Sequence, residues 1–162
     1  MDRLRGQFSD LGFSDVETFI ASGNVLFTTS DKATVAATSK IEARIEAHLH
    51  EHFGWPVPTF VRHASEVVAI IDFAATNPFG RIPDDHTHMV ALTKAIIDDA
   101  QHTTIVEQST VHNRFLVDGR DVHWLIAGRL SDSAITLPKL TKMIGRNTTR
   151  NISSLTRLRD RL

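Results

Sequence analysis

The chain has 162 residues, 41% of them apolar, a formal net charge of -1 and no cysteine. The near-neutral balance excludes attraction of the whole molecule to nucleic acid or a membrane surface. The lack of cysteine excludes disulfides, thiolate nucleophiles and cysteine-bound zinc, and agrees with a reducing compartment. No apolar run is long enough to span a bilayer, and the opening MDRLRGQFSD lacks the apolar core of a signal peptide, so a soluble, cytoplasmic chain of one domain or two small packed ones is expected, with no membrane partner.

In chain order, Leu4, Phe8 and Leu11 recur at helical spacing, and Gly12 stands where a helix C-cap would place it. Val16 to Ile20 and Val25 to Thr28 are β-branched and aromatic and are joined through Ala21-Ser22-Gly23-Asn24, which reads as strand, tight turn, strand. Ser30 or Asp31 can cap a long helix whose apolar stripe is Ile41, Ile45, Leu49 and Phe53, ended by Gly54. Pro56 to Arg62 reads as a strand bracketed by prolines, on a sheet edge. Ser65 to Phe73 reads as a helix before the Asn77-Pro78-Phe79 break, and the loop-like Gly80 to Asp85 is the expected boundary between halves.

The second half repeats the grammar. A strand His88 to Leu92 precedes helical residues around Lys94 to Gln108. A strand His112 to Val117 then turns at Asp118-Gly119 into Val122 to Ile126. Helix Pro138 to Ile144, a short strand Thr148 to Arg150 and helix Ser153 to Arg161 close the chain. This is βαββαβα, the ferredoxin-like order with one helix appended, and the first half reads αββαβα, the same order without its opening strand. The expected class is therefore α+β: two ferredoxin-like halves with antiparallel sheets, at residues 1–80 and 86–162.

The hairpin FIASGNVLF (19–27), the Asn77-Pro78-Phe79 break, Leu137-Pro138-Lys139-Leu140-Thr141 and Arg150-Asn151 resemble domain of unknown function family 1697, in that order. The resemblance implies small bacterial cytoplasmic α+β proteins whose activity is not established. It also implies an opening strand and glycine-rich loop that would precede this chain's first residue, and an Arg-Asn-Trp-Asn-Thr end where Ile152-Ser153-Ser154 follow Arg150-Asn151 here. Without the opening strand, Val25 to Thr28 and Pro56 to Arg62 would either pair directly or recruit a second copy through an open edge.

From Lys139 onward the chain is basic: Lys142, Arg146, Arg150, Arg157, Arg159 and Arg161 are opposed by Asp160 alone. Lys139, Lys142, Arg146, Arg150 and Asn151, together with the Ser22-Gly23-Asn24 turn, are the candidate ligand-binding residues. A cation and an amide ahead of a helix start can hold an anion at free backbone N–H groups. The competing structural roles are turn chemistry for Ser22-Gly23-Asn24 and an N-cap for Asn151. The resulting expectation is a module binding a phosphate-containing ligand, nucleotide or nucleic acid. The alternative is a small-molecule enzyme with a site between the halves. His48 and His52 stand one turn apart and Asp84-Asp85-His86-Thr87-His88 adds ligand types, yet neither stretch completes a metal motif. No nucleophile elbow, P-loop or dinucleotide fingerprint occurs either, so no cofactor is expected and no catalytic residue can be named.

Overall fold

The computed structural model describes residues 2–19, 23–32 and 34–162. The chain divides into two compact units, residues 1–63 with Leu162, and residues 64–161. The loop Gly80 to Asp85 therefore lies inside the second unit, because the helix before it packs with the strands that follow.

In the first unit, α1 (Asp2–Asp10) is followed by the antiparallel hairpin β1 (Ser14–Phe19) and β2 (Asn24–Thr28), and then by α2 (Val35–Phe53). Ile20 of the expected strand and Ala21 and Ser22 of the expected turn lie outside the described residues. The period-4 stripe of α2 behaves as its spacing requires: Ile41, Ile45 and Leu49 are buried with Phe8, Phe13 and Val16. The Phe13 and Phe27 rings sit 4.3 Å apart. Gly54 closes α2 at φ +81°. The N-cap, however, is Thr34, whose hydroxyl accepts from Ala37 N, rather than Ser30 or Asp31. Asp31 is engaged upstream, where its carboxylate accepts from Thr29 Oγ1 and its own N–H returns to that hydroxyl.

The segment Pro56 to Arg62 forms no strand. Two of its N–H groups point at a helix: Thr59 N donates to Glu46 Oε1 at 2.7 Å, and Val61 N donates to Glu42 Oε1 at 2.8 Å. The match is geometric. Alternate residues of an extended chain are about 6.7 Å apart and residues four apart on a helix rise about 6 Å, so carboxylates at i and i+4 fall opposite N–H groups at j and j+2. Pro56 and Pro58 remove donors from the other side of the same segment. Carboxylates thus take the place that a neighbouring strand was expected to fill, and the two-stranded sheet of this unit contains β1 and β2 alone.

The second unit opens with α3 (Ala64–Ala75), continues through β3 (His86–Thr93), α4 (Asp99–Val106), β4 (Asn113–Asp118) and β5 (Asp121–Ala127), and ends with α5 (Leu137–Ile144), β6 (Asn147–Asn151) and α6 (Ile152–Arg159). Its sheet runs β4-β5-β3-β6 with every pairing antiparallel, the ferredoxin-like arrangement expected from element order. The α4 helix starts later than expected, at a capping box between Asp98 and Gln101, and the turn before it is tied to the hairpin by Ile97 N to Gly119 O.

Both faces of this sheet are covered. On one, Ala91, Phe115, Trp124 and Ile126 pack with Ile105 of α4 and with Leu140 and Ile144 of α5. There the Trp124 indole donates to Asn113 Oδ1 at 3.0 Å. On the other face, Val90 and Leu92 pack with Val67, Ile70 and Ile71 of α3 and Leu155 of α6. Because both faces of the sheet are covered, β5 is buried from Asp121 through Ile126, its polar Asp121 and His123 included.

Candidate ligand site

Strand register decides where each candidate residue lies. Arg150 stands opposite Val90 and Thr148 opposite Leu92, so both project to the α3/α6 face. The α5 helix packs on the other face through Leu140 and Ile144, and Lys139 and Lys142 are exposed on its outer side. The expected cluster of Lys139, Lys142, Arg146 and Arg150 is therefore split by the sheet. Arg146 is exposed in the link between α5 and β6.

The Arg150 guanidinium is half-buried and donates to Thr148 Oγ1 at 2.7 Å and Thr149 O at 3.0 Å, and burial lowers its pKa from the usual value. Asn151 is the N-cap of α6: its Oδ1 accepts from Ser153 N at 2.9 Å and from Ser153 Oγ at 2.7 Å. Gly23 has φ +75°, a conformation that suits a tight turn, and Asn24 is the first residue of β2, opposite Phe19. Both belong to the first unit and Arg150 and Asn151 to the second. Ser22 lies outside the described residues.

The histidines also separate. His48 Nε2 is buried without a partner, whereas His52 is exposed and its Nε2 accepts from Arg3 Nε at 3.4 Å. Among the described residues no group of three or more His, Cys, Asp or Glu is placed to hold a metal ion.

A cleft of about 440 Å³ opens on the α3/α6 face of the second unit. Ile71 of α3, Ile82 of the loop between α3 and β3 and Ile152 of α6 supply its apolar wall, and His86, His88 and Asn151 its polar side. The His86 imidazole meets Asp85 Oδ1 at 2.8 Å, and that hydrogen bond holds the exposed Asp85 carboxyl below its usual pKa. His88 reaches inward. Its Nε2 lies 3.0 Å from His123 Nδ1 on β5, and the Phe79 ring stands edge-on to it at 5.3 Å. His123 is 0% exposed, its Nε2 has no hydrogen-bond partner, and the Phe73 ring lies 4.6 Å from its own. Burial lowers both histidines to a pKa of about 4, with repulsion from His88 adding to the effect on His123, so both rings are neutral at pH 7.

In the sequence His88 is one of several ligand types in a polar run, and nothing local marks His123. The signal that joins them is register. His123 pairs with Val90 across the ladder, and His88 lies two residues before Val90 on the same face.

No curated protein and no solved structure matches the chain. The family model for proteins of unknown function DUF1697 matches residues 1–123, which takes in residues 1–63 of the first unit and the second unit as far as His123. The chain belongs to the DUF1697 family of proteins of unknown function.

Proposed function

We propose that this protein is a small-molecule binding module whose site is the cleft of the second unit. One observation carries the reading: a histidine that is 7% exposed nevertheless lines a mostly apolar cleft of about 440 Å³, beside His86 and Asn151. Sites for small ligands are typically concave and mostly apolar with a few placed polar groups, and this cleft has that composition. It suits a compact cyclic or branched molecule with one polar end. Titrating the ¹⁵N-labelled protein with cyclohexylmethanol, cyclohexylmethylamine and cyclohexanecarboxylate should shift the amides of Ile71, Thr87 and Asn151. Ile152→Trp, which fills the cleft, should abolish the shifts. Spectra unchanged by all three compounds would refute the reading.

Lys139 and Lys142, three apart on the exposed side of α5, with Arg146 after it, support a second reading as an anion-binding surface without Arg150. Its test is a nucleic-acid anisotropy titration, in which replacing all three by alanine should flatten the salt dependence of binding. An unchanged slope would count against it. Self-association through the first unit belongs with these proposals, since each strand of a two-stranded sheet has only one strand neighbour. Light scattering that gives one mass across a hundredfold concentration range would dismiss it.

A further inference from the structure

The His88–His123 pair is buried without a counter-ion. Its rings are joined by one hydrogen bond, His88 Nε2 to His123 Nδ1 at 3.0 Å, and among the described residues neither side chain bonds to anything else. That bond uses one proton between two nitrogens, whichever ring supplies it, so while it lasts the pair can gain one further proton and not two. Of the carboxylates on the surrounding elements, Asp85 holds His86 and Glu66 of α3 holds Arg120, while Asp72 of α3 is exposed and Asp121 stands two residues from His123 on β5. The cations are Arg114 of β4, over the Phe79 ring that stands edge-on to His88, Arg150 of β6, and Arg157 and Arg159 of α6. Burial lowers the pKa of both rings, repulsion from His88 lowers that of His123 further, and no carboxylate offsets either effect.

A ligand can supply the charge that the chain omits. His88 and Asn151 line the same cleft. Asn151 Oδ1 accepts from Ser153 N and Ser153 Oγ, so the other end of its carboxamide is the NH₂ group, a donor, at the start of α6, where the helix dipole favours negative charge. The attraction between an anion in the cleft and an imidazolium in its wall acts through distance, and does not depend on which ring nitrogen carries the proton. We infer that the cleft takes a ligand carboxylate together with a proton, which the His88–His123 pair holds for as long as the carboxylate lies beside it. The inference rests on the cleft reading for its site. One anion and one proton enter, so the complex keeps the net charge of the free protein. Proton and carboxylate then favour each other's binding equally: affinity for the carboxylate rises as pH falls from 7 toward 5.5, while affinity for a neutral alcohol stays level.

Calorimetric titration of the native protein with cyclohexanecarboxylate, in two buffers of different ionisation enthalpy at the same pH, counts the protons taken up. At pH 5.5 the uptake should approach one per ligand, and with cyclohexylmethanol there should be none. Between pH 6.5 and 5.5 the carboxylate should gain up to about tenfold in affinity, the effect of one linked proton. Long-range ¹H–¹⁵N spectra of the imidazoles then locate the proton: at pH 5.5 both rings should be neutral in the free protein, and one of the two should give the imidazolium pattern in the complex. Carboxylate binding without proton uptake from pH 7 to 5.5 overturns the inference and leaves the cleft reading standing. Uptake with both rings still neutral puts the proton on the ligand or elsewhere in the chain, and overturns it as well. Failure of the carboxylate to bind while the alcohol binds does the same, and failure of all three cyclohexyl compounds removes the cleft reading too.

Discussion

The two units solve one problem by different means. Every extended segment must find partners for its backbone N–H and C=O groups. The second unit does so with four strands hydrogen-bonded to one another, whereas the first holds Thr59 and Val61 with the carboxylates of Glu46 and Glu42. Backbone ladders tolerate most side chains because the chain itself supplies the bonds. A side-chain ladder concentrates the same task in a few residues. The second unit has its own point of weakness, since its sheet carries two neutral histidines under α3 and α6, and neutrality depends on pH.

The largest expected effect separates the units by acid. His123 has a folded pKa of about 4 against an ordinary 6.5, so above pH 6.5 it is neutral in both states and contributes no pH dependence. As pH falls from 6.5 toward 4 the unfolded chain takes up a proton that the folded chain refuses, and stability is lost by roughly 3 kcal/mol for this one residue. Urea denaturation at pH 7.0, 5.5 and 4.5, followed by the buried Trp124 in a Trp55→Phe background, should show that loss. His123→Phe should reduce the slope. Parallel pH curves for the two proteins would contradict the account.

Next in size is Glu42→Leu in the first unit. It withdraws the acceptor from Val61 N inside a site where Glu42 is 1% exposed, at a cost of about 1 to 3 kcal/mol. Glu42→Gln, which keeps a carbonyl acceptor, should cost less. The check is the urea midpoint by far-UV circular dichroism, and equal midpoints for the two variants would show that the bond contributes nothing. Asn151→Ala, in the second unit, removes the N-cap of α6 and should cost about 1 kcal/mol by the same measurement. The smallest effect belongs to Thr34→Ala, the cap of α2: about 0.5 to 1 kcal/mol, because the 19-residue helix it starts is anchored mainly by Ile41, Ile45 and Leu49. A larger loss from Thr34→Ala than from Asn151→Ala would reverse the ranking.

Local chemistry was legible in the sequence. The apolar stripe of α2, Gly54 at its end, the Asp118-Gly119 turn and the capping role of Asn151 each depend on residues a few positions apart. The element order of the second half gave its sheet for the same reason. What could not be read were pairings between distant residues. Pro56 to Arg62 has the composition of a strand, but a strand exists only where another strand lies beside it. The basic run from Lys139 to Arg150 is continuous in sequence, yet it passes from a helix on one side of the sheet into a strand whose alternate residues face the other. The His88–His123 contact spans 35 positions, and only the register of β3 against β5 brings it together.

The carboxylate pair of α2 also bears on how this first unit can change over evolutionary time. Bonds between strands are written in the backbone, and no single codon can delete them except by introducing proline. The bonds of Glu42 and Glu46 are written in two codons. A change to aspartate would draw the 59–61 segment one methylene closer to the helix, and a change to lysine would set a cation against the N–H group in place of an acceptor. The position of that segment is therefore an adjustable trait, open to selection one substitution at a time, in a way that the placement of β3 between β5 and β6 is not.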